Sequence, residues 1–165
     1  MAISADVLKR LRMLILDVDG TLTDGSVYYG LADGPVKRFY IRDGQGISNI
    51  QKLGVRVAFV TGDVSEATRL RARKLKIEDV HEGIDEKGPV VRDLLAEHGI
   101  DPSEAAYMGD EPSDIAGMDE VGLATAPADA VAEVRERANW VSEAIGGFGA
   151  VRELCDAICQ AKTES

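Results

Sequence analysis

Met13-Leu14-Ile15-Leu16-Asp17-Val18-Asp19-Gly20-Thr21-Leu22-Thr23-Asp24-Gly25 joins a short unbroken apolar run to a loop rich in acids and turn residues. An apolar run this short, closed by polar turn residues, reads as a strand buried on both faces. Similar runs recur at residues 55–60, opened by Gly54, and at 105–108 and 121–124. Helix-like segments lie between and after them, at about 44–53, 64–75, 86–98, 112–118, 128–138 and 147–161. Buried strands alternating with helices predict an α/β domain, Rossmann-like, with a mostly parallel sheet and helices on both faces. Residues 26–41 break the alternation. Two β-like runs flank a Gly/Asp/Pro turn there, which predicts a β-hairpin over the carboxyl edge of the sheet, where ligands bind in open α/β folds.

A chain of 165 residues predicts a single domain over 1–165. Asp and Glu number 29 against 19 Lys and Arg, a net charge of −10, which disfavours nucleic acid or an anionic membrane as partner. An apolar content of 45% excludes wholesale disorder. No run approaches the ~18 apolar residues of a membrane span, and the first apolar run is too short for a secretory signal. Cys155 and Cys159, four apart, predict reduced thiols on one helix face, and a cytoplasmic protein.

Chemistry concentrates where strands end. Asp17 and Asp19 follow the first strand, and Gly20 permits a turn that brings both to one point. One carboxylate can act as nucleophile and the other as general acid/base, and both are hard oxygen ligands for Mg²⁺. Thr61-Gly62 follows the second run and offers a hydroxyl and a backbone N–H to a phosphate oxygen. Lys87, at a helix start, can neutralise a carboxylate and a phosphate. Asp110 follows the run at 105–108 and can complete a metal site, with Asp114 supporting it from behind. Each feature alone has a plainer reading: a solvated loop, a strand–helix junction, an exposed lysine, a helix cap. Together they supply a nucleophile, a phosphate binder, a lysine and a metal acid, the set needed for in-line phosphoryl transfer.

The order D-x-D-G-T, T-G, K, G-D-x-x-x-D resembles the haloacid dehalogenase superfamily of phosphatases over about residues 10–160. Residues 17–25, the hairpin, Arg42-Asp43-Gly44 and residues 146–153 are similar to the 3-deoxy-D-manno-octulosonate 8-phosphate phosphatase group and its relatives acting on nine-carbon sugar-acid 9-phosphates. The resemblance implies a Mg²⁺-dependent phosphatase with an aspartyl-phosphate intermediate on Asp17. It makes Asp19 the general acid/base and a metal ligand through its carbonyl, and Asp110 the third ligand. Thr61 and Gly62 hold the phosphate, Lys87 orients Asp17, and Asp114 and Glu111 support the metal site. The intervals between these motifs leave no room for a cap domain, so the hairpin stands in its place. The family answer to an open site is a homotetramer in which a neighbouring subunit covers it. Tyr28, Tyr29, Phe39 and Tyr40 suit a hairpin with apolar surface to bury.

Three positions depart from the octulosonate pattern. Asp63 stands where that group carries Arg, Phe148 where it carries Arg or Lys, and Glu111 where it carries Asp. Asp63 and Lys74 lean toward a nine-carbon acid; the plainer reading makes Asp63 a helix cap and Lys74 solvated. Arg42, Arg71, Lys74 and Lys87 are the expected cations for an anionic sugar-acid phosphate. Alternatives are a broad-specificity sugar phosphatase, a non-catalytic tetramerising domain of the same fold, and a two-component receiver. The last leaves the motif from Gly109 to Asp114 without a role.

Overall fold

The computed structural model describes residues 3–30 and 34–164. The decisive apolar run forms β1 (Met13–Leu16), fully buried, at the centre of a six-stranded sheet. The other strands are β4 (Arg56–Val60), β5 (Asp79–His81), β6 (Ala105–Met108), β7 (Leu123–Ala126) and β8 (Trp140–Val141). Their spatial order is β5-β4-β1-β6-β7-β8, and every pairing is parallel.

Because side chains alternate along a strand, the sheet feeds two cores. Leu14 and Leu16 of β1, Phe59 of β4 and Met108 of β6 pack beneath α1 (Ala5–Arg10), α2 (Ile41–Lys52), α3 (Glu66–Leu75) and α7 (Ala150–Thr163). Met13 and Ile15, with Ala58 and Tyr107, pack beneath α4 (Lys87–Glu97), α5 (Ile115–Met118) and α6 (Ala132–Arg137). The expected layers are therefore present, with helices on both faces. Cys155 and Cys159 are both free thiols on α7. Among the described residues no helix is long and apolar enough to cross a membrane.

Some boundaries differ from the sequence reading, for physical reasons. The last predicted strand begins at Leu123, because the Gly122 N–H donates to the Pro102 carbonyl at 2.6 Å in a turn that packs on Ser103. The segment from about 128 becomes helical only at Ala132, after the Ala130 N–H has closed a turn on the Pro127 carbonyl. The helix expected from 147 begins at Ala150, since Gly147 and Gly149 both adopt positive φ. Residues 112–118 divide into a 3₁₀ turn at Pro112–Asp114 and α5. α1 and the two-residue β8 have no counterpart in the sequence reading.

The hairpin comprises β2 (Thr23–Tyr28) and β3 (Val36–Phe39), antiparallel and separate from the main sheet. It starts three residues earlier than expected, inside the acidic loop itself. The Thr23 hydroxyl oxygen accepts from the Gly20 N–H at 3.2 Å and the Gly25 N–H at 3.1 Å, so hairpin and loop share one root. Leu31, Ala32 and Asp33, part of the expected turn, lie outside the described residues.

Candidate active site

β1, β4 and β6 are adjacent, and the loops leaving their carboxyl ends converge over the middle of the sheet. Asp17 follows β1 directly and is 5% exposed. Its backbone N–H donates to the Met108 carbonyl at 3.0 Å, which extends the β1–β6 ladder one step and fixes the side chain above the sheet. Lys87, the first residue of α4, reaches in from the side and is 3% exposed. Its Nζ donates to Asp17 Oδ1 and to Asp114 Oδ1, each at 2.6 Å.

Asp114 spends both its oxygens on the protein. Oδ1 accepts from Lys87 and from the Tyr107 hydroxyl at 2.7 Å; Oδ2 accepts from the backbone N–H groups of Asp110 at 3.0 Å and Glu111 at 3.1 Å. Asp110 accepts from the Thr21 hydroxyl at 3.1 Å through Oδ1. The second oxygens of Asp17 and Asp110 accept no hydrogen bond among the described residues. Carboxylate oxygens of Asp17, Asp110 and Asp114 lie within 4.8 Å of one another. Of the three, Asp17 and Asp110 each keep an oxygen for a cation, while Asp114 acts from behind. Hard oxygens this close suit Mg²⁺.

The electrostatics point the same way. Burial and the charge of Asp114 push the Asp17 pKa well above its ordinary value, against the opposing pull of Lys87. Burial and Asp114 raise Asp110 to about 7. Burial alone would lower the Lys87 pKa, but Asp17 and Asp114 outweigh it and the net shift is upward. One lysine does not balance three clustered carboxylates, and a divalent cation between Asp17 and Asp110 would relieve the remaining repulsion.

The glycines of this region fit that crowding. Gly20 has φ of 94°, and a Cβ there would overlap the Asp110 carboxylate. Gly146 lies so close to the acidic loop that a Cβ would overlap the Gly20 carbonyl, and the Gly147 N–H donates to the Thr21 carbonyl at 3.0 Å. The segment before α7 thus braces the loop that carries Asp17 and Asp19.

Thr61 lies buried at the end of β4, next to exposed Gly62. A Cβ on Gly62 would meet only the Ile84 carbonyl, at 3.6 Å, so the space over its backbone is open to an anion. The remaining expected residues scatter. Arg42 is exposed in the first turn of α2 and unpaired among the described residues. Arg71 donates to the Tyr40 carbonyl at 2.8 Å, with its guanidinium 5.5 Å from the Phe39 ring centroid, and so braces the base of the hairpin. Lys74 lies exposed in the last turn of α3, beside Lys52 and Lys76. In a parallel α/β fold that end of the helix is at the opposite edge of the sheet, away from the loops that carry Asp17 and Asp110. Glu111 is exposed and contributes its backbone N–H to Asp114.

Three contributors went unread in the sequence. Tyr107 carries the only side-chain polar group of β6 and meets Asp114; a phenol inside an otherwise aliphatic strand was the available signal. Lys37 pairs with Asp19 and Asp63 at 2.7 Å each, a contact between distant segments that leaves no local trace. Arg38 donates to Asp24 Oδ2 at 3.1 Å and to the Gly147 carbonyl at 3.0 Å. Its guanidinium lies 4.0 Å over the Phe148 ring. A cation therefore does stand at Phe148, supplied by the hairpin.

Comparison with known proteins agrees with this geometry. The family described as haloacid dehalogenase-like hydrolase matches residues 65–146. The 3-deoxy-D-manno-octulosonate 8-phosphate phosphatase of Escherichia coli K12 is 39% identical over 163 residues, covering 97% of this chain and 87% of its own length. The Moraxella catarrhalis enzyme of that name, solved with a magnesium ion, a phosphate ion and KDO, superposes with a TM-score of 0.91 at 31% identity, covering 96% of this chain and 91% of its own. The cobalt-bound deoxy-D-mannose-octulosonate 8-phosphate phosphatase of Haemophilus influenzae gives 0.91 at 36% identity, covering 96% and 93%. With a relative 39% identical along nearly its whole length, the chain belongs to the haloacid dehalogenase-like hydrolases, in the 3-deoxy-D-manno-octulosonate 8-phosphate phosphatase group.

Proposed function

We infer that the chain is a Mg²⁺-dependent phosphatase that hydrolyses the phosphate monoester of a 2-keto-3-deoxy sugar acid. The observation that carries this reading is the Lys87 ammonium held between Asp17 and Asp114, which fixes the Asp17 carboxylate at the centre of the site. The names of the aligned relatives supply the substrate class and favour the eight-carbon acid.

In this mechanism Asp17 attacks phosphorus in line, and the bond from phosphorus to the sugar oxygen breaks. Asp19 gives its proton to the departing oxygen, then takes one from the water that hydrolyses the aspartyl-phosphate. The Thr61 hydroxyl and the Gly62 N–H receive the phosphoryl oxygens, and Lys87 holds Asp17 in place and offsets its charge. Mg²⁺, held by Asp17, Asp110 and the Asp19 carbonyl, would neutralise charge on the transferring phosphoryl group. Arg42, exposed and unpaired among the described residues, would be free to meet the sugar-acid carboxylate. The hairpin offers apolar surface to neighbouring copies, which supports a homotetramer whose subunits cover one another's sites.

Phosphate release tests the reading. The panel holds octulosonate 8-phosphate, nine-carbon ulosonate 9-phosphates, hexose phosphates and p-nitrophenyl phosphate, each with Mg²⁺ and with excess chelator. The expected result is a preference for a sugar-acid phosphate and loss of turnover on chelation. Equal, weak rates across the panel would overturn the substrate class, and no release from any ester would overturn the phosphatase.

A further inference from the structure

Lys37 sits on β3 opposite Val27, on a hairpin most of whose residues are at least partly exposed. Its side chain is nevertheless only 3% exposed. The ammonium lies 2.7 Å from Asp19 Oδ2 and 2.7 Å from Asp63 Oδ2. Asp19 belongs to the loop after β1 and Asp63 to the loop after β4, so one cation ties the hairpin to both. An enclosed ammonium persists only where carboxylates compensate for lost water.

The contact constrains both acids. One Asp19 oxygen is fixed by Lys37, which sets the carboxyl plane and leaves Oδ1 for the departing group. Asp63 is committed to Lys37, so its charge is cancelled before a substrate arrives. Without Lys37, two carboxylates would face an incoming anionic ester.

We propose that Lys37 is a positioning residue for protonation of the leaving group, orienting Asp19 toward the ester oxygen and cancelling the charge of Asp63 beside it. The proposal rests on the assignment of Asp17 and Asp19 given above. In the step concerned the bond from Asp17 to phosphorus forms as the ester bond breaks, the electron pair stays on the sugar oxygen, and the Asp19 proton moves to that oxygen. A sugar alkoxide needs that proton to leave. p-Nitrophenolate, a far weaker base, leaves without it.

The experiment compares kcat/KM, which covers steps only up to departure of the leaving group, for octulosonate 8-phosphate and p-nitrophenyl phosphate. The proteins are wild type, Lys37→Met, Lys37→Gln, Lys37→Arg and Asp63→Asn. Lys37→Met is expected to lose about 100-fold on the sugar acid, the scale of a misplaced general acid. Its loss on the aryl ester should be at least about tenfold smaller, because only proton delivery separates the two esters. Lys37→Arg should recover most of the lost selectivity, and Asp63→Asn should lose far less than Lys37→Met. If Lys37→Met fails to fold, by circular dichroism, Lys37→Gln carries the same comparison. Equal losses on both esters would make Lys37 a mere support for the hairpin, and no loss would make it a spectator; either overturns the proposal. A wild type inactive on both esters overturns the phosphatase reading and this proposal with it.

Discussion

Asp17 carries its charge in a buried, unfavourable place. Burial and the facing Asp114 disfavour its ionised form, and Lys87 opposes them only in part. A protein keeps such a group where its reactivity is needed. Replacing it separates the two demands. Asp17→Asn keeps the shape and removes the nucleophile, so phosphate release should fall below about 1% of wild type. It also removes one buried negative charge, so the melting temperature in metal-free buffer should hold or rise. Turnover above a few per cent would refute the nucleophile's assignment. A large drop in melting temperature would mean that Asp17 serves folding. Much of this residue-scale arrangement is legible in sequence, because the acids, the threonine and the lysine sit at loop positions immediately after strands or at a helix start. Lys37 is not, since it acquires its role only when segments far apart in the chain meet, and Tyr107 offers only a phenol in an otherwise aliphatic strand as its signal.

At the scale of elements, α2 and α7 depend on each other through one carboxylate. α7 starts after Gly149, which has no side chain to cap it. Asp43, fully buried in the first turn of α2, supplies the cap from outside: its Oδ1 accepts from the Arg152 N–H at 2.9 Å, at the third position of the helix. Burial raises the Asp43 pKa from 3.8 to about 6, against the pull of the Arg152 N–H and the Arg71 charge. Folded Asp43 therefore binds its proton more tightly than unfolded Asp43. Stability from this group is present below pH 3.8, falls as pH rises through about 6, and is level above. Asp43→Asn keeps the capping oxygen and removes the titration. Urea unfolding at pH 5 and pH 7 should show the variant gaining about 1–2 kcal/mol on wild type between the two. A constant difference would show that Asp43 does not titrate in this window. The sequence reading found both helices, since their apolar positions repeat with helical spacing. It did not find the cap, because a helix capped from outside carries no N-cap signal of its own.

At the scale of the whole molecule, the hairpin is the part whose apolar side chains stay exposed. The apolar runs of the main sheet are covered on both faces, which is why the α/β layering could be read from them. The hairpin pairs only with itself and carries Tyr28 at 54% and Tyr29 at 78% exposure, with Val27 and Val36 also exposed. Ile41, the first residue of α2, is 81% exposed beside them in sequence. Exposed aromatic and aliphatic side chains clustered in this way mark an interaction site. The hairpin is also rooted in the catalytic loop through Thr23, grips it through Lys37 and reaches the segment that braces it through Arg38, so whatever holds the hairpin also holds the site. An association through this surface would couple assembly to catalysis. Tyr29→Asp tests that coupling, because Tyr29 makes no hydrogen bond among the described residues and its loss removes little from the monomer fold. Wild type is expected to sediment as a tetramer at micromolar concentration and the variant as smaller species. Its kcat/KM for the sugar-acid phosphate should fall by about tenfold or more, the cost of a site that excludes water poorly. The circular dichroism of the variant should match wild type. A variant that sediments as wild type does, or smaller species with undiminished kcat/KM, would show that each subunit completes its own site and that the exposed tyrosines serve another contact.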